Sequence, residues 1–239
     1  MWNNPRVLNW ISTALFVSAM LMLVCAAAWR IAHFETFAVG EIEVVGDVTN
    51  VTREQVETIV FTELEGTFFT VDLGSAQAAF EKLPWVRRVS IRRHWPNRLE
   101  VAVEEHRELA RWGNSALVNS YGEVFEGASN NRLPMFDGPD GAYTEVTSYY
   151  LQFNEALSRI GRYVETVRVS ERRAWRLLLD DGTVIELGRA GVIARLRAYV
   201  EAYERSVARL EGGASYVDLR YANGFTVRVK NLQWGETRA

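Results

Sequence analysis

Asp180 and Asp181 are adjacent carboxylates in a chain of 239 residues, and a pair of carboxylates is the usual equipment for general acid–base work. Neighbouring residues on a strand point to opposite faces, and Asp181-Gly182 is a turn signal. The pair therefore reads as the end of a strand rather than as a catalytic dyad. Cys25 is the only cysteine, and it lies in the most apolar stretch of the chain, so no intrachain disulfide and no cysteine-cluster metal site can form. His94 and His106 fall on one side of a two-strand pattern, but no third ligand has recognisable metal spacing. Arg87, Arg88, Arg92, Arg93 and Arg98 form a basic strip. Such a strip can hold phosphate, or it can be a solvated sheet face. Glu100 and Glu104 occupy the facing strand and favour cross-strand pairs worth roughly 0.2–1 kcal/mol each. There is no Gly-x-Ser-x-Gly elbow, Ser-x-x-Lys pair, P-loop or Rossmann glycine pattern. The side chains point away from an enzyme, leave a hydrolase as a distant alternative, and imply no cofactor.

The bulk numbers agree with a folded, non-nucleic-acid-binding protein: 48% hydrophobic, 24% charged and a net charge of -3. Basic residues are mostly arginine, with Lys82 and Lys230 the only lysines. No charge occurs between Arg6 and Arg30, and Val7–Trp29 gives 23 uncharged, mostly apolar residues. As a helix this run is roughly 35 Å long, enough to cross a bilayer with some tilt. Trp10 and Trp29 lie near its ends, where interfacial indoles are favoured. A cleaved signal, with Ala26-Ala27-Ala28 as its processing region, and a buried core helix are the competing readings. Arg6 before the span and Arg30 and His33 after it leave orientation open.

The elements that must carry any site fall into two groups. In the first, Glu41–Val45 alternates and meets Gly46-Asp47, a strand and a turn. Thr52 and Gln55 form a capping-box pattern, with Val56, Ile59 and Val60 as the apolar stripe behind it. Asp72 caps a second helix carrying Leu73, Ala76, Ala79, Phe80 and Leu83, and Pro84 ends it. Two strands follow around the turn Trp95-Pro96-Asn97, with Trp85, Val89, Ile91 and Trp95 sharing one parity. The order is β-α-α-β-β. In the second group, Ala116–Val118 and Val124-Phe125 flank a hairpin signal at Tyr121-Gly122, and Asp137–Gly141 reads as loop. Helical spacing predicts helices over Glu145–Ile160 and Val192–Leu210, and strands over Val164–Val169, Ala174–Leu179 and Thr183–Leu187. The run "VDLRYANGFTVRV", Val217–Val229, alternates on both sides of Asn223-Gly224, the strongest short hairpin signal, and reads as two strands joined at a bend.

Several stretches carry a more specific likeness. "FFTVDL" at Phe68–Leu73, "LPWVRRVSIRRHWPNRLEVAVEEH" at Leu83–His106, "ARW" at Ala110–Trp112, "LVNSYGEVFEG" at Leu117–Gly127, "LPMFDGPDG" at Leu133–Gly141, "RRAWRLLLDDGTVIELGR" at Arg172–Arg189 and "YVDLRYANGF" at Tyr216–Phe225 occur in one order. Together they resemble the FtsQ/DivIB family of bacterial cell-division proteins, whose first extramembrane domain is a POTRA domain. The resemblance implies an α+β protein: a tail over residues 1–6, a transmembrane helix over 7–29, a linker over 30–36, a POTRA domain over 37–106, a strand-rich β domain with packed helices over 107–233 and a tail over 234–239.

The resemblance also implies a non-enzymatic divisome scaffold in the cell inner membrane, single-pass, with its N-terminus cytoplasmic and its bulk periplasmic at the division septum. It implies direct binding of FtsB and FtsL, recruitment and regulation of septal peptidoglycan synthesis, and contacts with other divisome proteins through the POTRA domain, where Arg88 and Arg92 lie, or through the membrane segment. Carried over by motif, the partner contacts are Arg220, Tyr221, Asn223, Gly224 and Phe225, with Thr226, Val227, Arg228 and Val229 as the strand edge and Arg172 and Arg173 as a second region. The physical mode is β-augmentation, in which a partner strand completes an open sheet edge. Tyr221 shares parity with Val217 and Leu219, so it can equally be core, and Asn223-Gly224 can be only a turn. Some family members carry an aromatic where this chain has Val229. A POTRA-containing scaffold for outer-membrane protein assembly or secretion is the alternative function.

Overall fold

The structure is a computed structural model that describes residues 5–32, 39–64, 66–221 and 223–230. Most of the expected linker and the tail over 234–239 lie outside the described residues. Helix α1 runs Pro5–Ala32, 28 residues, or about 42 Å at the helical rise. Its segment Leu8–Arg30 is long and apolar enough to cross a membrane, and none of it is buried against the rest of the chain. The remainder divides into two compact units at Glu105/His106.

The first unit is β1 (Glu41–Val45), α2 (Arg53–Glu63), α3 (Leu73–Phe80), β2 (Val86–His94) and β3 (Arg98–Glu105), the β-α-α-β-β order. The sheet runs β1-β3-β2, with β1 parallel and β2 antiparallel to β3. The Thr52 hydroxyl accepts from the Gln55 N–H while the Gln55 side chain accepts from the Thr52 N–H, so the capping box forms in full. Asp72 accepts from the N–H groups of Gly74 and Ser75 at the start of α3. Phe80, Leu99 and Val101 are fully buried, with Val89 and Val103 beside them, between sheet and helices. Trp95 departs from its expected parity. It lies beyond the end of β2 in the turn, and it is 80% exposed. On the open face, His94 Nε2 is 3.0 Å from Glu100, but Glu104 takes Arg87, at 2.7 Å, because a register shift between Val86 and Arg88 breaks the simple alternation.

The second unit holds β4 (Glu108–Trp112), β5 (Ala116–Asn119), β6 (Val124–Glu126), β7 (Met135–Asp137), α4 (Tyr143–Ser158), β8 (Val164–Val169), β9 (Trp175–Leu179), β10 (Val184–Gly188), α5 (Val192–Tyr203), β11 (Ala214–Asp218) and β12 (Thr226–Val229). These strands make one nine-stranded sheet, β12-β11-β10-β9-β8-β7-β4-β5-β6. The pairs β7–β8 and β10–β11 are parallel, joined through α4 and α5 respectively. Both crossovers step in the same direction between strands of the same sense. Since such crossovers are right-handed almost without exception, both helices fall on one face of the sheet. Burial agrees. Val167, Leu177, Ile185, Leu187 and Val217 are fully buried together with Phe153 and Leu157 of α4 and Leu196 of α5. Truncating one of these leucines to alanine costs about 2–5 kcal/mol.

Two expectations need correction. Helix α5 stops at Tyr203 instead of continuing to Leu210. Arg205 N–H and Ser206 N–H bond back three residues to Ala202 and Tyr203, the Ser206 hydroxyl bonds the Ala202 carbonyl at 2.6 Å, and only a 3-10 turn, Val207–Arg209, follows. Asp137, expected in a loop, ends the three-residue strand β7, which joins β4 to β8 in the middle of the sheet.

Candidate partner-binding edge

The stretch that opens the candidate site leaves the sheet earlier than its alternation predicts. β11 ends at Asp218, and the connection to β12 covers residues 219–225, of which Ala222 lies outside the described residues. β11 and β12 do pair antiparallel, Val217 opposite Val227 and Asp218 opposite Thr226. They do so without a two-residue Asn-Gly turn. A type I′ turn needs positive φ at both central residues, and Gly224 is not in that region. The cause is Asp218. Its Oδ1 accepts the Arg220 N–H at 3.0 Å and bends the chain out of the strand two residues on, while Leu219 N–H still reaches the Glu186 carbonyl at 2.8 Å.

The same carboxylate holds the Arg220 side chain. Arg220 Nε lies 2.9 Å from Oδ1 and Nη2 lies 2.6 Å from Oδ2, a forked pair between an Asp218 side chain 6% exposed and an Arg220 side chain 59% exposed. The Arg220 fork holds the Asp218 carboxyl below its ordinary range, and the pair in turn pushes the guanidinium up. The stem of Arg220 lies across Gly188, the last residue of β10, where an added Cβ would sit 3.3 Å from Arg220 Cγ. Gly188 has φ 78, so glycine there both relieves the backbone and leaves the track for Arg220.

Tyr221 is 57% exposed and therefore not core, so its shared parity with Val217 and Leu219 ends where the strand ends. Asn223 and Gly224 are exposed as well. Phe225 turns inward, half-buried, with its ring 5.5 Å from Tyr199 of α5 at a near-perpendicular angle. In β12, Thr226 and Arg228 lie on the open face and Val227 packs toward the helices, with Val229 half-buried. The Arg228 guanidinium stands 5.5 Å over the Tyr216 ring. Beyond the strand, Lys230 N–H bonds Gly213 O at 3.0 Å, and its ammonium reaches the Asp181 carbonyl. β12 is thus pinned at both ends, and its outer side has no strand beside it among the described residues.

Arg172 and Arg173 occupy the connection between β8 and β9. β9 runs antiparallel to β10, β10 parallel to β11 and β11 antiparallel to β12, so β9 starts at the end of the sheet where β11 finishes, and that connection lies at the same end as residues 219–225. Arg173 adopts φ 60 and pairs with Glu145 of α4, whereas Arg172 is exposed. Between the two regions the open face carries a row that sequence reasoning missed. Asp137, Arg168, Arg176, Glu186, Asp218 and Thr226 are successive cross-strand neighbours from β7 to β12. Arg168 Nε meets Asp137 Oδ2 at 2.8 Å, and Arg176 pairs with the buried Glu186. In the sequence Arg168, Arg176, Glu186 and Asp218 are only polar positions in strand patterns, Asp137 reads as loop and Thr226 as part of the last strand; the row exists because of the register.

The carboxylates first considered for catalysis are structural here. Asp180 and Asp181 each lie 3.4 Å from Arg162, Asp180 accepts the Tyr163 N–H and Asp181 accepts the Thr183 N–H. His106 lies against Phe125, ring centroids 4.2 Å apart, with Nδ1 2.9 Å from the buried Asn119 amide.

An apolar membrane-length helix, a β-α-α-β-β unit and a helix-backed sheet with an open edge fit a single-pass membrane protein. Residues 37–106 match the family model of the FtsQ-type POTRA domain, and residues 110–220 that of the C-terminal domain of cell division protein FtsQ/DivIB. The chain is 42% identical to the cell division protein FtsQ of Nitrosospira multiformis over 95% of this chain and 99% of that protein. It is 39% identical to the FtsQ of Burkholderia pseudomallei, with 98% and 96% covered, and 34% identical to that of Allochromatium vinosum, with 90% and 88% covered. The chain belongs to the FtsQ/DivIB family of cell division proteins. Between the two roles a POTRA domain leaves open, the match across both units selects cell division.

Proposed function

We propose that the protein is a non-enzymatic divisome scaffold of the inner membrane, N-terminus cytoplasmic and bulk periplasmic, that gathers FtsB and FtsL at the septum and so recruits and regulates septal peptidoglycan synthesis. The observation that carries this is the outer side of β12: a strand edge without a neighbour among the described residues, anchored by Phe225 at one end and Lys230 at the other, with Arg220, Tyr221 and Arg172 exposed at one end of the sheet. A strand of FtsB adds along Thr226–Val229 through main-chain hydrogen bonds, and acidic side chains on it meet Arg220 and Arg172. Pinning lowers the ordering cost that an incoming strand must overcome. Arg220 arrives already oriented by Asp218, so it contributes position as well as charge. FtsL joins through the same assembly.

The test is binding of purified full-length protein to FtsB. Tyr221→Ala weakens the complex while the thermal melt stays in place; unchanged binding overturns the assignment of the edge. Depletion followed by microscopy tests the cellular role separately. Filamentous cells are expected, and an envelope or secretion defect with normal septation would instead return the transport-scaffold alternative.

A further inference from the structure

The POTRA unit has a second feature that neither the β12 edge nor the family match uses. Its exposed aromatic side chains gather at one end. β1 starts at Glu41, opposite Arg98, and Gly40 N–H bonds the Asn97 carbonyl at 2.9 Å. The chain therefore enters the domain against the Trp95-Pro96-Asn97 turn. α2 runs back toward the same end, and its last turn carries Phe61, 81% exposed. The loop after α2 is held there by Arg93, whose Nε and Nη2 donate to the carbonyls of Phe68 and Val71 at 2.8 and 2.7 Å. That loop presents Phe69, 49% exposed, and the turn presents Trp95, 80% exposed. The opposite end has different chemistry: Glu105 closes the turn at Thr49–Val51, and the chain leaves the domain.

The aromatic end is the end tied to the membrane helix. From Ala32, the last described residue of α1, to Val39 there are seven residue steps. A fully stretched chain spans at most about 25 Å over that length, and any relaxed path is shorter. The headgroup layer is itself roughly 5–7 Å deep on each side of the hydrocarbon. Among the described residues this end has no excess of positive charge, with Glu41, Glu43, Glu63 and Glu100 against Arg92, Arg93 and Arg98. Arg98 is 2.9 Å from Glu41 and 3.4 Å from Glu43, and His94 is 3.0 Å from Glu100. Arg93 is occupied by carbonyls. An anionic surface has little to attract here. Exposed phenyl and indole rings on a tethered surface with no excess of positive charge suit the interfacial layer of a phospholipid leaflet, where aromatic rings are favoured.

The geometry points to a membrane-resting surface on the POTRA domain: Phe61, Phe69 and Trp95 seat in the headgroup layer of the leaflet beside α1 and fix the tilt of the domain on the bilayer. This rests on the membrane span alone and is independent of the partner assigned to β12.

The experiment uses the full chain in nanodiscs, in a Cys25→Ser background, with a bimane label placed by Phe61→Cys or, at the opposite end, by Asp47→Cys. The discs contain phosphatidylcholine brominated near the headgroup, with or without phosphatidylglycerol. The label at position 61 loses fluorescence to the bromine in both lipid mixtures and the label at 47 does not. Adding Phe69→Ser and Trp95→Ser restores the fluorescence at 61. Trp95→Ser alone, at a position already exposed, keeps the test valid if the double variant unfolds. Absence of quenching at 61 overturns the inference, as does unchanged quenching in the Ser variants. Quenching that needs phosphatidylglycerol assigns the contact to charge and overturns the aromatic mechanism. Shielding of position 61 only when a second protein is supplied assigns the patch to a protein partner and overturns it equally.

Discussion

Strands β1 and β12 each have one side without a strand neighbour among the described residues, and they treat it differently. β1 carries Glu41 and Glu43, both exposed and drawn to Arg98, and beside it Ile42, Val44, Val48, Val51, Val56 and Val60 line a shallow groove of about 510 Å3 with α2. Charge on an edge is a common protection against unwanted pairing. β6, at the far side of the larger sheet, is protected by being only three residues long. β12 has neither device at full strength. Arg228 is drawn onto Tyr216, and the strand is anchored between Phe225 and Lys230. On the proposed reading an open edge is not a binding site by itself: pinned ends and pre-set flanking side chains are what let a strand take a partner at low ordering cost.

The sharpest way to break this contrast is to release one pin. Phe225→Ala removes a half-buried ring from Tyr199, which costs about 2–3 kcal/mol of stability in urea unfolding and weakens FtsB binding further by loosening β12. If FtsB binds the variant as tightly as the native chain, the Phe225 anchor is irrelevant and the comparison fails. Tyr221→Ala separates contact from scaffold. Its side chain is 57% exposed, so stability moves by no more than about 0.5 kcal/mol, while affinity measured by calorimetry falls by about 2 kcal/mol, roughly 30-fold.

The difference between these two residues also marks how far the sequence could be read. Alternation placed Tyr221 and Phe225 alike, and only the Asp218 bend separates them. Element types were legible wherever local signals were strong: the Thr52–Gln55 cap, the Asp72 cap, the strands of β8 to β10 and the pairing of β11 with β12. β7 was not, because three residues carry no period and the strand exists through pairing with β4 and β8, distant in sequence. The polar row from Asp137 to Thr226 was illegible for the same reason. The motif likeness marked Arg220 as a contact, but nothing local showed that its guanidinium would be committed to Asp218.

Asp218→Asn tests that commitment. Replacing the carboxylate removes the charge-assisted fork and costs about 1–2 kcal/mol at neutral pH, with FtsB affinity falling as Arg220 loses its orientation. The pH dependence follows from sign. The folded carboxyl titrates below its unfolded value, so its stabilisation is present in full above the ordinary aspartate range and is lost as pH falls through the lowered folded value. Acid titration of the native chain and the variant should converge. Glu105 is the counterpart in the POTRA unit. Partial burial pushes its carboxyl up, but the N–H groups of Val51, Asn50 and Thr49 more than offset this and leave it lowered. Glu105→Gln costs about 1 kcal/mol above the ordinary glutamate range and progressively less below it. FtsB affinity stays constant, because no part of the β12 edge is touched.

The smallest effect belongs to β1 itself. Val44 is 37% exposed, and it borders the groove with α2. If any open edge sufficed for the partner, a charge placed there would compete with strand addition and lower FtsB affinity. If pinning and flanking side chains decide, Val44→Lys leaves that affinity unchanged and alters stability by no more than about 0.5 kcal/mol. The same calorimetric titration used for Tyr221→Ala distinguishes the two. A loss at Val44 as large as the loss at Tyr221 would show that β1 and β12 are equivalent edges, and that the geometry around Asp218, Phe225 and Lys230 does not choose between them.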